Sequence, residues 1–287
     1  MTDDSIAADA GEYLDPGYDS VTPDGDNLLN DFSRAEVEGW RRWAIAAGGR
    51  HGEDAELGVS WVDTGCAAVF GNPSHWTRPL RADQAELVVN NLARQYEQSS
   101  GGPFVIFSSF PTPDLRAVGM APVGHPPLMV RPAPNTAATS EGSSAQLRIE
   151  RVSTVQQLHD FERTLIEAFP VDELIPWTPG SFVPEGLLGD DAWHLLVGYD
   201  EVNQPVATSA AFVTDQIVDV TWVSCQPNSR RRGFGEAMTL AATLADLAKP
   251  FLLIASDDGR PVYLRMGYVT LLRFTLWVGT RPGGSPT

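Results

Sequence analysis

The stretch Ser224-Cys225-Gln226-Pro227-Asn228-Ser229-Arg230-Arg231-Arg232-Gly233-Phe234-Gly235-Glu236-Ala237 decides how the rest of the chain is read. Before it runs Ile217-Val218-Asp219-Val220-Thr221-Trp222-Val223, apolar and β-branched, which predicts a buried strand. After it, the alanine-rich run from Ala237 to Ala248 predicts a helix. A strand, a glycine-rich basic turn and a helix make a layout that grips phosphate. The glycines let backbone approach an anion, and the N–H groups of the first helical turn point at it.

Composition narrows the field around this turn. The 287 residues suffice for one large domain or two ordinary ones, and a hydrophobic fraction of 43% supports a real core. A net charge of −17 argues against nucleic acid or an anionic membrane as partner, because both require a basic surface. Against that background the adjacent Arg230, Arg231 and Arg232 stand out. The two cysteines, Cys66 and Cys225, predict neither a disulfide framework nor a zinc site. His51, His75 and His125 have no ligand spacing, so no metal is expected. No run approaches the roughly 18–20 apolar residues of a membrane span, and a cytoplasmic protein is expected.

In chain order, residues 1–30 are acidic and poor in apolar groups, which predicts a disordered tail. Ser33-Arg34-Ala35-Glu36 reads as a capping box opening a helix that carries Val37, Trp40, Ala44 and Ala47. Strands are expected at 56–62 and 66–70, a helix at 82–97, a strand at 103–108, a short helix at 114–118 and a strand at 127–131. Residues 132–145, rich in Pro, Ala, Ser and Thr, read as a linker. Beyond it come a strand at 147–152, then a helix with Ser153 as N-cap and Gln156 as its box partner. An irregular stretch at 169–188 precedes a hairpin of strands 193–199 and 206–213. After the phosphate turn follow a strand at 251–256, a short helix at 261–266 and one closing strand at 271–278. Pro103–Ser109 matches Pro250–Ser256, and Gly119 matches Gly267 with one residue inserted, so the two halves read as an internal duplication. The first half has no counterpart of the Arg-Arg-Arg-Gly-Phe-Gly turn.

Arg230-x-x-Gly233-x-Gly235 resembles the Q/R-x-x-G-x-G/A signature of the GNAT superfamily of acyl-CoA N-acyltransferases. The resemblance continues through Ala255–Tyr268, which is similar to the family's late strand-helix-strand element. It covers about residues 146–279 by element order, with motif-level matches in 217–268. The resemblance implies an α/β (α+β) fold with a mixed central sheet flanked by helices, in two tandem lobes. Residues 31–131 would form a degenerate N-terminal lobe and 146–287 the lobe that binds acetyl-CoA. The whole is similar to tandem acetyltransferases of high-GC bacteria.

By that resemblance, the backbone of Val223, Ser224 and Cys225 would pair with the pantetheine arm. The amides of Arg231, Arg232, Gly233, Phe234, Gly235 and Glu236 would cradle the pyrophosphate. Arg230 and Arg232 would add charge or brace the loop, and Ser256 falls where many members carry an asparagine that contacts CoA. Tyr263 matches the position often assigned as general acid, although a tyrosine on a short helix is also an ordinary packing residue. The family's general base does not carry over: Asp219 is the one acid in its strand, and His194 is a weaker candidate. Trp177, Phe182 and Trp193 surround the stretch where the family builds its acceptor pocket. The implied reaction is direct attack of a small-molecule primary amine on acetyl-CoA. A protein lysine or N-terminal amine as acceptor, and a non-catalytic acyl-CoA sensor, are the alternatives. An oligomer is compatible with the sequence but not predicted by it.

Overall fold

The computed structural model describes residues 28–97, 103–133, 147–169 and 171–279. Nearly all of the expected acidic tail and linker lies outside these. The elements are α1 (Leu28–Ala46), β1 (Arg50–Asp54), β2 (Val59–Asp63), β3 (Pro73–Trp76), α2 (Ala85–Glu97), β4 (Phe104–Ser108), β5 (Met120–Gly124) and β6 (Pro127–Arg131). Then come β7 (Arg148–Arg151), α3 (Val155–Ala168), β8 (Trp193–Tyr199), β9 (Pro205–Val213) and β10 (Val218–Cys225). The chain closes with α4 (Phe234–Thr243), β11 (Phe251–Ile254), α5 (Arg260–Arg265), β12 (Val269–Arg273) and β13 (Thr275–Gly279).

Two mixed sheets organise the molecule, ordered β1-β2-β3-β4-β13-β5 and β12-β6-β11-β10-β9-β8-β7. Set side by side they are the same plan. In each, a parallel pair (β3 with β4, β10 with β11) is followed by an antiparallel inserted strand and a terminal edge strand. The inserted strand comes from the other half: β6 lies between β11 and β12, and β13 lies between β4 and β5. The single closing strand expected at 271–278 is therefore two strands in different sheets, broken at Phe274. The Phe274 N–H bonds Pro126 O at 2.9 Å, which ties one crossing to the other. Sequence halves and sheets thus differ by one strand each. The duplicated segments match in detail: Gly119 and Gly267 both end a short helical turn in the left-handed region, at φ 84° and 86°, where a β-carbon costs energy.

Helix α1 bridges the sheets, packing against β1, β2 and β3 on one side and β9 and β10 on the other. It begins at Leu28, a turn and more before Ser33, because Phe32 and Ala35 are core residues that need helical geometry upstream. The inward stripe is Phe32, Ala35, Gly39 and Trp43, with Ala44; Trp40 is only half-buried. Phe32 meets Phe274 edge-on at 5.9 Å, and Trp43 donates its indole N–H to Phe182 O at 3.0 Å. The cap of α3 is Thr154 rather than Ser153. Its hydroxyl accepts the Gln157 N–H while Gln157 reaches back to the Ser153 N–H, the expected box moved by one residue. The strand expected at 66–70 is a turn of 3-10 helix, Val69–Gly71.

Candidate active site

The site is built where β10 leaves β11. The parallel pairing holds only at Val218 opposite Phe251 and Asp219 opposite Leu252. Past Asp219, β11 stays with β6 while β10 follows β9 to Cys225, and a notch opens between them. A bulge between Thr221 and Ser224 sharpens the bend. There Trp222 has φ 52°, a strained value for a bulky residue. The Thr208 hydroxyl pins the bulge, bonding Trp222 O at 2.8 Å and the Ser224 hydroxyl at 2.7 Å. Ser224 and Cys225 pair with Thr208 and Ala207 on the β9 side.

The turn beyond follows the expected layout. A 3-10 turn at Pro227–Ser229 leads through Arg231 at φ 61° to Gly233 at φ 81°, the N-cap of α4. No side chain caps this helix, and the first backbone bond into it is Ala237 N–H to Gly233 O at 3.0 Å. The amides of Gly235 and Glu236 thus lack an intrahelical acceptor. Gly233 is required by its φ. Gly235 is not, since an added β-carbon would meet only Cys225 Sγ at 3.8 Å. Phe234 is buried against Val206, Ala207 and Met238 and anchors the helix start. Arg232 lies over its ring at 4.6 Å. Arg230 bonds Cys225 O at 3.3 Å and Ala168 O at 3.1 Å, so its guanidinium braces the loop from below. Glu236 is exposed in the first turn, where its charge suits the helix N-terminus.

Across the notch, Tyr263 on α5 is buried between α4 and the sheet, in contact with Thr239 and close to Cys225. Burial pushes its phenol up to about 12, against the Thr239 hydrogen bond, so it stays protonated at neutral pH. Ser256 uses its hydroxyl to accept the Gly259 N–H at 3.1 Å. A β-carbon on Gly259 would sit 2.9 Å from the Tyr263 ring, so that glycine lets the tyrosine lie against the turn. Burial also pushes the Cys225 thiol up to about 11, which keeps it a poor nucleophile.

The other face of β10 is different chemistry. Val218 and Val220 point at the cluster that holds Tyr263; Asp219 and Thr221 point at α1. Asp219 is 3% exposed and lies within hydrogen-bonding reach of Glu36 on α1. Burial, then the Glu36 charge, raises its pKa well above the carboxylate range. Burial pushes Glu36 up as well. The hydrogen bond and charge of His75, with bonds to Asp219 and the Trp40 indole, outweigh that and leave it lowered. His75 Nε2 is 3.2 Å from Glu36 Oε2, and its ring stacks on Phe107 at 5.2 Å. The register aligns Asp219, Phe212 and Trp193 in one row across three strands. His194 falls on the opposite face, two strands away.

Aromatic rings wall this side. The bulge turns Trp222 onto the Asp219 face, where it meets Trp40 at 5.8 Å and Phe182 at 5.2 Å. Trp43 packs on Trp193 at 5.2 Å. Phe182 and Trp193 are thus gathered as expected, while Trp177 sits further out and donates to Glu162 at 3.0 Å. Glu162, fully buried on α3, also accepts the N–H groups of Gly180, Phe182 and Val183 and so fixes the irregular stretch.

Glu36, Trp40, His75, Glu162 and Trp222 escape a reading of the sequence. Glu36 looks like the end of a capping box; the signal available was an acid on a helix stripe between Ala35 and Gly39. Among the described residues, no cluster of three or more His, Cys, Asp or Glu is placed to hold a metal ion, and no helix is long and apolar enough to cross a membrane.

No family model matches the sequence, and no curated protein matches it. Solved structures do. A GCN5-related N-acetyltransferase from Kribbella flavida is similar over 90% of this chain and 97% of its own, at 16% identity and a TM-score of 0.63. A functionally unknown conserved protein from Staphylococcus epidermidis ATCC 12228 is similar over 82% of this chain and 95% of its own, at 18% identity and a TM-score of 0.59. The likeness is one of fold, and it is the GNAT fold that the two motifs imply.

Proposed function

We propose that this chain is an N-acyltransferase that moves the acetyl group of acetyl-CoA to a primary amine of a small molecule. The observation that carries this reading is the parting of β10 from β11 directly before an uncapped helix N-terminus. The notch edge of Val223, Ser224 and Cys225 would hydrogen-bond the pantetheine arm. The amides from Arg231 to Glu236 would hold the pyrophosphate, with Arg231 and Arg232 adding charge. The chain's residues fit that ligand. Gly233 sets the loop, Gly235 leaves backbone open to close approach, and Arg230 holds the loop in place. Ser256 is committed to its own turn, so its part is to shape the entrance.

In the reaction the amine nitrogen bonds the thioester carbonyl carbon, the carbon–sulfur bond breaks, and the proton that nitrogen sheds as the amide forms replaces the one given to sulfur. Strand N–H groups at the bulge would stabilise the oxyanion. Tyr263, neutral at physiological pH as any phenol is, would give its proton to the leaving thiolate. Asp219 faces the aromatic side, from which an amine would arrive.

The test is thiol release from acetyl-CoA against a panel of amines, together with CoA affinity. Tyr263→Phe should lower kcat about 100-fold with CoA affinity retained. Failure to bind CoA would overturn the site assignment. Binding without turnover of any amine, unchanged by Tyr263→Phe, would overturn the transferase reading alone.

A further inference from the structure

We infer that Glu36 and Asp219 act as one proton-sharing carboxyl pair that takes the proton from the acceptor amine, with His75 and Trp40 holding Glu36 in position. This rests on the transferase reading above and goes beyond it. The base is assembled from three elements, the bridging helix α1 and one strand of each sheet, β3 and β10.

Two facts lead there. First, two acids buried side by side are a poor way to hold a helix on a sheet. Charge repulsion and lost hydration both oppose it, and apolar residues of similar size would pack there without that cost. The molecule nonetheless supplies His75 at 3.2 Å and the Trp40 indole to hold one member of the pair charged. Second, the pair borders a cavity of about 10 Å³, walled by Trp40, Trp193, Thr221 and Trp222, enough for one water or one amine nitrogen. Trp193 is 6% exposed, and its indole N–H has no acceptor among the described residues. A buried unpaired donor on a residue that lines the same cavity as the carboxyl pair calls for a small polar group there. The surrounding rings suit the ammonium form of an amine by cation–π attraction.

Among the described residues, Glu36 is the one charged group that shifts Asp219. The neighbouring strands β9 and β11 carry none. On α1, Arg42 is bound to Glu38 and Asp190, and on α3 Glu162 is saturated by four donors. The step balances without a co-reactant. One N–H bond of the ammonium breaks, the proton goes to an Asp219 oxygen directly or through one water, and nitrogen keeps the electron pair that attacks. Asp219 is the catalytic residue; Glu36 and His75 are positioning residues.

The raised pKa of Asp219 fixes the sign. Its base form appears only as pH rises, so kcat should fall with acid along a limb well above the ordinary carboxylate range. Removing the Glu36 charge removes one cause of that elevation. The experiment is the pH profile of kcat for the wild type, Glu36→Gln and Asp219→Asn, with acetyl-CoA and the best amine of the panel. Glu36→Gln should remain active with its acid limb moved down by about one pH unit. Asp219→Asn should lose about 100-fold in kcat and lose the limb. A parallel infrared pH titration should show a carboxyl band that ionises along the same limb as kcat and that Asp219→Asn removes. An unmoved limb in Glu36→Gln, full activity in Asp219→Asn, or no such band overturns the pair. A wild type that binds CoA but turns over no amine overturns the transferase reading and the pair's catalytic role with it. The band then still reports whether the proton is shared.

Discussion

The two sheets share a strand plan and differ at one seam. In the first, β3 and β4 stay zipped through all four residues, from Pro73 opposite Val105 to Trp76 opposite Ser108. In the second, β10 and β11 part after two. The first seam is filled by its own backbone, and beyond it comes no glycine turn but Thr77, whose N–H bonds Gly58 O. The second is left open and followed by a helix N-terminus. One strand plan thus serves two uses: the first sheet closes its seam, and its strand β3 lends His75 to the face of the other. The difference teaches that the proposed ligand site would be a defect in pairing rather than an added part.

The most severe way to break the comparison is to separate the halves. Residues 146–287 alone lack β6, which pairs with both β11 and β12. Residues 28–133 alone lack β13. Each half expressed singly should be insoluble or molten, and co-expression should recover a folded complex, read by gel filtration and near-UV circular dichroism. A folded, soluble 146–287 would show the exchange to be dispensable.

A smaller effect separates the two glycines of the open seam. Gly233→Val should cost roughly 1–2 kcal/mol through its positive φ and abolish CoA binding, measured by denaturation and calorimetry. Gly235→Ala should leave stability nearly unchanged, so any lost affinity reports ligand approach.

Asp219 gives a pH signature that the closed seam lacks. A group whose pKa is raised on folding contributes stability below its unfolded value and loses it as pH rises through its folded value. The wild type should therefore lose melting temperature relative to Asp219→Asn as pH rises from about 4, the ordinary aspartate value, through the raised folded value. A constant difference would mean that Asp219 is already ionised.

The smallest effect is a matched one. Gly119→Ala and Gly267→Ala occupy equivalent turns at φ 84° and 86° with open space around them, so each should cost about 1 kcal/mol and no more than the other. Unequal costs would show that the halves have diverged in how they hold their turns.

What the sequence reveals is what lies in local pattern. The strand Trp193–Tyr199 is legible to the residue, because its apolar run is bounded by clear turns. The glycine turn and the repeat are legible because they are contiguous. The expected helix from Ala237 instead begins at Phe234, since glycine at 233 caps what its neighbours' polarity conceals. Strands β1 and β5 escape notice because Arg50–Asp54 is polar throughout and Met120–Gly124 is largely exposed, so neither shows a period. The exchange of β6 and β13 is invisible for another reason: each looks like a strand, and nothing local names a partner far along the chain. Trp222 defeats alternation outright, since the bulge turns it to the face opposite the one its position predicts. The Glu36–Asp219 contact joins two residues that sequence reading handles separately, one as a cap and one as a strand acid.

The crossing of β6 and β13 also orders events in time. A ribosome releases the first half well before the second, yet the sheet of that half has a gap between β4 and β5 that only Thr275–Gly279 can fill. Until the last strand emerges, β4 and β5 stand as unpaired edges, the kind of surface that recruits stray strands. The β6 strand meanwhile waits for β11. Translation of this chain should therefore carry a long interval in which the first sheet depends on chaperones, ended only when Thr275–Gly279 arrives, after every strand of the second sheet has been released.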